Sequence, residues 1–410
     1  MPVETPFLTA GITGTGGRIR TRPEDFVVEE IPLYEASGSG THLYLTIRKK
    51  GMSTHKLIDE VARRLGKKHG EVGYAGLKDS RAVTVQRLSV EHVDEAAVKA
   101  LKIPGAEILK VERHTNKLKP GHLAGNRFVI TVREARPGSR EDAQRVLDEM
   151  MRRGAPNYYG EQRFGRYGTN HVAGKALVTG EPMKFLNAVI LPPGWEGMES
   201  DAVAARQAFA EGRYEEARKL LPRYLRDEEK LLEQLVKTGD AGRALRALNP
   251  QMALFYMNAY QSYLFNKVMA RRGMEMIDKL MEGDLAYIHV KGAVFSVKDA
   301  AAEAPRAERC EISPSGPIYG KKLLFASGKE EKIERDVLAE EGLTMELFDE
   351  KRLGRLNGER RPFRVPVKVD GPVEEPEAGV LVIRFSLPAG AYATNVLREV
   401  MKNAELEEDE

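Results

Sequence analysis

The chain holds one cysteine, Cys310, which excludes an internal disulfide and any cysteine-rich zinc site. Its eight histidines are scattered, with no His-x-x-x-His or His-x-His pair to suggest a metal. No apolar run approaches the ~18 residues that a membrane span needs. The first residues, MPVETPFLTAG, lack a basic segment followed by an apolar core, so no secretory signal is expected. These absences point to a soluble, cytoplasmic protein with no metal and no membrane partner. The 410 residues suffice for at least one substantial core, and two or three compact units are expected.

Charge is unevenly spread. The formal net charge is +3, but the last ten residues, MKNAELEEDE, hold one lysine against five acids, which leaves residues 1–400 at +7. Residues 41–70 hold eight Lys/Arg against two acids, and residues 110–136 hold seven against two. Basic stripes of this kind suit a solvated face or a polyanionic partner. The acidic end reads as a frayed, solvated tail.

Along the chain, the glycine cluster GITGTGG (residues 11–17) is followed by a strand pattern, where a phosphate loop would lead into a helix. It reads as a flexible connection. Phe26, Val28 and Glu30 alternate with Val27, Glu29 and Ile31 as in a β-strand, and THLYLTIRKK continues as a second strand. Residues 53–66 predict a helix: Ser53 as N-cap, an apolar face of Leu57, Ile58, Val61, Ala62 and Leu65, and Gly66 as a left-handed stop. A short helix near residues 94–101 precedes a basic loop, RHTNKLKPGHLAGNR, which feeds a strand over 128–133. Residues 139–153 form another helix, with Val146, Leu147, Met150 and Met151 inward.

Composition shifts near Pro156. Residues 201–248 read as nearly all helical, and 251–272 as a buried helix with Leu254, Phe255, Tyr260, Leu264 and Phe265. AYIHV and GAVFSV read as strands, and SPSGPIYGKK as a Gly/Pro turn region. After RLNGERRPF the alternation returns in RVPVKV and in VLVIRFSLPAGAYATNVLREVM, a strand, a loop and a helix. The expected fold is α/β or α+β. One sheet domain is built from both ends of the chain, residues 1–155 with 356–410, and a helix-rich domain, 156–355, interrupts it.

Lys78 and Asp79, in GYAGLKDSRAVTVQ, follow a glycine and precede a strand pattern. A carboxylate at such a junction is held by the sheet beneath it while staying accessible. A turn-capping aspartate is the plainer reading of that dipeptide alone. Four other segments bear on the choice: RIRTRPEDFVVEE, GHLAGNRFVITVR, PNYYGEQRFG and LPAGAYATNVLRE. Together and in this order, the five segments resemble the TruD-type pseudouridine synthases, in the branch that modifies position 13 of tRNA. The resemblance covers both ends of the chain and reaches into the interruption as far as QSYLFNKV.

The resemblance implies a mixed, mainly antiparallel sheet flanked by helices, with a helix-rich α/β insertion. It makes Asp79 the catalytic aspartate and puts Arg20 beside it, where bacterial members have a lysine. Asn126 and Phe128 match an Asn-x-Phe motif whose ring sits against the target base. Phe26 and Tyr392 match pocket-lining positions, Tyr392 where at least some members have phenylalanine. The helical stretch over 201–248 looks longer than in bacterial members, as in archaeal and eukaryotic ones. The implied partner is tRNA, with no protein partner.

The chemistry agrees with these residue types. Converting uridine to pseudouridine breaks the C1′–N1 bond, turns the uracil and joins C5 to C1′, so no cofactor is needed. A carboxylate can attack covalently or remove a proton, and a cation within ~4–6 Å favours its charged form. Extruding a base costs a few kcal/mol, and stacking it on an aromatic ring returns roughly 1–3 kcal/mol. Asn126 carries both a donor and an acceptor for uracil edges. Tyr158, Tyr159, Arg163, Phe164, Arg166 and His171 read as scaffolding or RNA contact. Two other readings stay open: a glycoside hydrolase using Asp79 with Asp25 or Glu161 as second carboxylate, and a non-catalytic RNA-binding module.

Overall fold

The computed structural model describes residues 3–198, 200–349, 353–354 and 356–403. It divides into two compact units: Phe7–Asn157 with Val365–Glu410, and Tyr158–Arg364 with Met1–Pro6. The expected acidic tail lies, from residue 404 onward, outside the described residues. In chain order the first unit begins with β1 (Phe26–Pro32), β2 (His42–Lys50), α1 (Thr54–Arg64), β3 (Gly73–Tyr74), β4 (Val83–Glu91) and α2 (Glu95–Lys99). β5 (Ala106–His114), β6 (Leu123–Val132), α3 (Arg140–Arg153) and β7 (Ala155–Pro156) follow. The other unit contributes α4 (Asn170–Thr179), α5 (Pro182–Ile190), α6 (Val203–Ala210), α7 (Tyr214–Leu220), α8 (Arg226–Thr238), α9 (Ala241–Ala244) and α10 (Pro250–Arg272). It continues through β8 (Leu285–Ile288), β9 (Ala293–Ser296), α11 (Ala300–Glu308), β10 (Ile312–Ile318), α12 (Gly328–Glu340) and β11 (Glu359–Pro362). After β12 (Arg364–Val365), the first unit closes with β13 (Lys368–Val369), β14 (Glu374–Glu377), β15 (Val380–Pro388) and α13 (Ala393–Met401).

The strand patterns of the two chain ends meet in one sheet of order β13-β15-β6-β1-β4-β2-β5, with β14 on β15 and β3 on β4. Among the described pairings only β1 with β4 is parallel. The fold is thus the mixed, mainly antiparallel sheet flanked by helices that the resemblance implies. Register fixes which side chains share a face, because a one-residue slip would turn every one of them over. Lys49 lies opposite Thr84, Thr84 opposite Val28, Val28 opposite Phe128, and Phe128 opposite Phe385, a single row across five strands. These residues face the buried side, whereas Arg48, Glu29 and Arg127 lie on the other side and are exposed.

Local chemistry sets the helix that covers one end of this face. Ser53 Oγ accepts from the Lys56 N–H at 3.2 Å, which satisfies a donor that the first helical turn leaves open. Leu57, Ile58, Val61 and Ala62 then bury against Leu45, Ile47 and Leu88, and Gly66 leaves the helix at φ +64°.

Five sequence expectations change. The stretch AEILKVERH, not read as a strand, is edge strand β5, whose charged Glu107, Lys110, Glu112 and Arg113 hide the alternation while blunting the edge. The basic loop ends earlier than expected, since β6 starts at Leu123, and Asn126 therefore sits inside a strand. GITGTGG is not a flexible connection. A Cβ on Gly14 would fall 2.4 Å from the Met401 carbonyl oxygen, and one on Gly17 2.5 Å from that of Arg133. Thr15 and Gly16 donate to Val400 and Met401, so these glycines let two backbones close on each other. SPSGPIYGKK is mostly strand β10, between β11 and β8. Its glycine, Gly316, serves packing: a Cβ there would meet the Phe363 ring at 2.4 Å. Met151, expected inward on α3, is exposed, while Ala143 takes the inward place.

The other unit is organised by α10, whose Tyr260, Leu264 and Phe265 are buried as expected, joined by Val268, although Leu254 is half-buried and Phe255 exposed. Near its end Arg272 is enclosed with two carboxylates, Asp284 at 2.8 Å and Glu330 at 2.7 Å. One guanidinium cannot neutralise both. Burial pushes the Glu330 carboxyl up to about 7, Asp284 adds to that rise, and Arg272 offsets only part of it. A carboxyl raised in the folded state contributes stability that is present below its unfolded pKa and is lost as pH rises through about 7. Glu330→Gln is therefore expected to gain about 1–3 kcal/mol on the unaltered protein between pH 5 and pH 8. Urea unfolding at both pH values checks this; a constant difference between the two proteins would exclude it.

Candidate active site

Asp79 stands in the loop from β3 to β4, and neighbouring groups fix that loop from beneath. The Lys78 N–H donates to Thr54 Oγ1 at 2.9 Å, and Thr54 Oγ1 donates to Gln86 Oε1 at 3.0 Å. Lys78 turns its side chain inward, where Nζ meets Glu30 Oε2 of β1 at 3.0 Å, the two side chains only 4% and 2% exposed. With Lys78 committed inward, the next side chain turns toward solvent. Asp79 Oδ1 accepts from the Arg81 N–H at 2.8 Å, the local turn bond that aspartate favours. Oδ2 pairs with Arg20 Nη2 at 2.8 Å, with side-chain exposures of 30% for Asp79 and 26% for Arg20. Both carboxylate oxygens are thus oriented, and each keeps a free lone-pair direction.

Arg20 reaches Asp79 from a left-handed backbone position, φ +57°. Its guanidinium lies 4.3 Å from the centroid of the Phe26 ring. Phe26 meets Phe128 edge-to-face at 6.4 Å, and Phe128 stacks on Phe385 at 5.2 Å. Arg20, Asp79, Phe26 and Phe128 therefore form one chain of contacts. Asn126 shares the face of Phe128 two residues away, opposite Glu30 on one side and Leu387 on the other. Its Oδ1 is buried without a hydrogen-bond partner. Such an atom carries a desolvation cost of about 1–3 kcal/mol until something donates to it. Tyr392 comes from a different element, the loop between β15 and α13. That loop is anchored where the Ala389 N–H donates to the Ala124 carbonyl, and the Tyr392 side chain is 43% exposed.

Sequence reasoning missed Lys49. Fully buried, its Nζ donates to the Asp79 carbonyl at 2.9 Å and also to the Met52 carbonyl. Burial pushes its ammonium down to about 8, against a raising influence from Asp79 and alongside a lowering one from Lys78. A signal was present: the alternation Leu43, Leu45, Ile47 puts a lysine at the next position of an apolar face. Asp25, weighed as a second carboxylate, is enclosed by Arg133, whose Nη2 lies at 2.7 Å. From Tyr158 onward the PNYYGEQRFG segment belongs to the second unit. Asn266 brackets Tyr159, accepting from its N–H and donating to its carbonyl, both at 2.9 Å, while Tyr158 and Phe164 are buried.

The family model for tRNA pseudouridine synthase D matches residues 3–400. The chain belongs to the TruD family. It is 45% identical to a tRNA pseudouridine synthase D of Geobacter metallireducens, over 98% of this chain and 99% of that one. With that of Thermus thermophilus it shares 38% identity, over 98% of this chain and 93% of that one. A solved chain from Methanosarcina mazei, described as a candidate tRNA pseudouridine synthase D, superimposes with a TM-score of 0.84 at 30% identity, over 97% of this chain and 96% of that one. The two bacterial relatives are matched over nearly their whole length, so the helical stretch is shared with them and is no mark of archaeal and eukaryotic members.

The Lys78–Glu30 pair can be tested as the brace of this TruD-family loop. Removing one partner of a buried pair strands the other charge, at a cost of about 3–5 kcal/mol. Glu30→Leu is expected to destabilise the protein by that amount, and Glu30→Leu with Lys78→Met to recover most of it. Urea unfolding of both variants decides; a single-variant cost below ~1 kcal/mol would mean that the pair is worth no more than an exposed one.

Proposed function

We propose that this chain isomerises uridine to pseudouridine in tRNA, at position 13, with Asp79 as nucleophile or base and no cofactor. The observation that carries the proposal is the Arg20–Asp79 ion pair at 2.8 Å, accessible to solvent and backed by Phe26 and Phe128, in a TruD-family chain. Arg20 pairs with the carboxylate and aims it. Phe26 has Arg20 against its ring and both Phe26 and Phe128 are buried, so these two rings back the ion pair from beneath. The exposed Tyr392 ring supplies the stacking that offsets base extrusion. Asn126 Oδ1, buried and unpartnered, accepts from the uracil N3–H. The basic stripes hold phosphates without choosing the uridine. In this reading the unit Tyr158–Arg364 is the family's insertion and the other unit the catalytic domain. A cytoplasmic enzyme is consistent with the described residues, where no helix is long and apolar enough to cross a membrane.

Against a hydrolase, the enclosure of Asp25 by Arg133 removes one of the two second carboxylates that such chemistry would use. Tritium release from tRNA transcripts labelled at uridine C5 tests the proposal. Asp79→Ala is expected to lose about 10²–10⁴-fold or more in rate while still binding tRNA, and a transcript with cytidine at position 13 to release nothing above background. Full activity in Asp79→Ala, or free uracil as product, would refute it.

Arg20 gives a second test. Arg20→Ala is expected to slow turnover at least about tenfold, equivalent to ~1.4 kcal/mol of barrier, with little change in tRNA affinity. Arg20→Lys is expected to fall between, since it keeps the charge but loses the planar fork. An unaltered rate with weakened binding would make Arg20 a phosphate contact instead.

A further inference from the structure

Lys49 is the anomaly of the sheet. A buried ammonium is normally paired with a carboxylate, yet both acceptors of Lys49 Nζ are backbone carbonyls, those of Met52 and Asp79. The first belongs to the turn between β2 and α1 and the second to the loop from β3 to β4, so one amine joins the two loops that flank the site. The charged groups facing it are Asp79, whose charge favours the ammonium, and Lys78, whose charge opposes it. Each of these is held by a further group, Asp79 by Arg20 and Lys78 by Glu30. Across the sheet Lys49 faces Thr84 of β4 and Ala106 of β5, neither of which is charged.

We propose that Lys49 is a positioning residue: its buried amine ties the Asp79 main chain to the β2–α1 turn and so fixes where the Asp79 carboxylate points. The proposal rests on the reading of Asp79 as the reacting carboxylate. The carboxylate is already held by Arg20 and by the Arg81 N–H, but both bonds act on the side chain. Rotation of the Asp79 peptide would move the carboxylate even with those bonds intact, and Lys49 alone among the described partners grips its carbonyl. A charged donor makes this the stronger kind of hydrogen bond. A misplacement of about 1 Å at a reacting group can cost ~10²-fold in rate.

Single-turnover tritium release from the C5-labelled transcript, from pH 6 to pH 9.5, with tRNA affinity by filter binding, tests this on the full chain. Lys49→Met, nearly equal in volume, is expected to turn over about 10- to 100-fold more slowly, with tRNA affinity within about threefold of the original. Unaltered protein should lose rate as pH rises through about 8, whereas Lys49→Met should be slow and free of that limb. Lys49→Arg, charged throughout the range, should show no fall near pH 8. A Lys49→Met protein with the original rate would overturn the proposal, as would one whose rate falls only in step with affinity and melting temperature. Should Lys49→Met not fold, the comparison of Lys49→Arg with unaltered protein decides, and coincident alkaline limbs would overturn it. Asp79→Ala in the same assay separates the two claims. If it stays active, the reading of Asp79 fails; if it is inactive while Lys49→Met is fully active, only the role of Lys49 fails.

Discussion

The Lys78–Glu30 pair is the constraint on which the candidate site depends. Two ionised groups buried in a sheet are costly to desolvate, and they stabilise little compared with an apolar pair of the same shape. Their value is directional. Lys78 is drawn down to β1, the chain direction at the loop is thereby set, and the adjacent Asp79 is left facing outward toward Arg20. The Thr54 hydroxyl and the Lys49 amine hold the same loop through its backbone, so three polar contacts from three elements fix one peptide segment. A loop held in this way has its carboxylate already oriented, the preorganisation that the proposed role of Asp79 requires.

The sheet register gathers parts that lie far apart in the chain. β15 pairs with β6 over eight residue pairs, although the whole Tyr158–Arg364 unit lies between them in sequence. Loop-closure cost rises only by about 0.6 kcal/mol for each doubling of length, so an insertion that folds as its own unit adds little to the cost of that pairing. The chain's start is fastened to its end by the close backbone approach at Gly14, by the Thr15 bond to Val400, and by Glu399, which accepts from Leu8 and Thr9. Phe385, arriving after the insertion, completes the stack beneath Phe128.

The legible part of this arrangement was the part written in periodicity. Alternation exposed β1, β2 and β15, and capping exposed α1, because both signals repeat along the chain and concern one element at a time. β5 was not legible, since its charges serve an edge and erase the pattern. β10 was not legible either: prolines and a glycine that signal a turn in isolation become a strand when Phe363 packs on the glycine and donates its N–H to the Pro314 carbonyl. The residues suggested for the site came from the resemblance of several segments, not from local propensity. Lys49 lies outside every resembling segment and Glu30 ends one without standing out in it; what makes both special is burial, a property of the assembled sheet.

Arg20 shows why a locally unfavourable residue persists. A non-glycine residue in the left-handed region costs of order 1 kcal/mol, and glycine would relieve that cost. Glycine would also remove the guanidinium that covers Phe26 and meets Asp79. The turn is held open from its flank, where Arg18 and Arg133 exchange backbone hydrogen bonds at 2.7 and 2.8 Å, and Arg133 in turn grips buried Asp25, next to Phe26. The same bonds that tolerate the strained backbone therefore set the position of the ring under the guanidinium. Strain at Arg20, stacking on Phe26 and the charge pair with Asp79 are one mechanical unit, in which relaxing the first would release the other two.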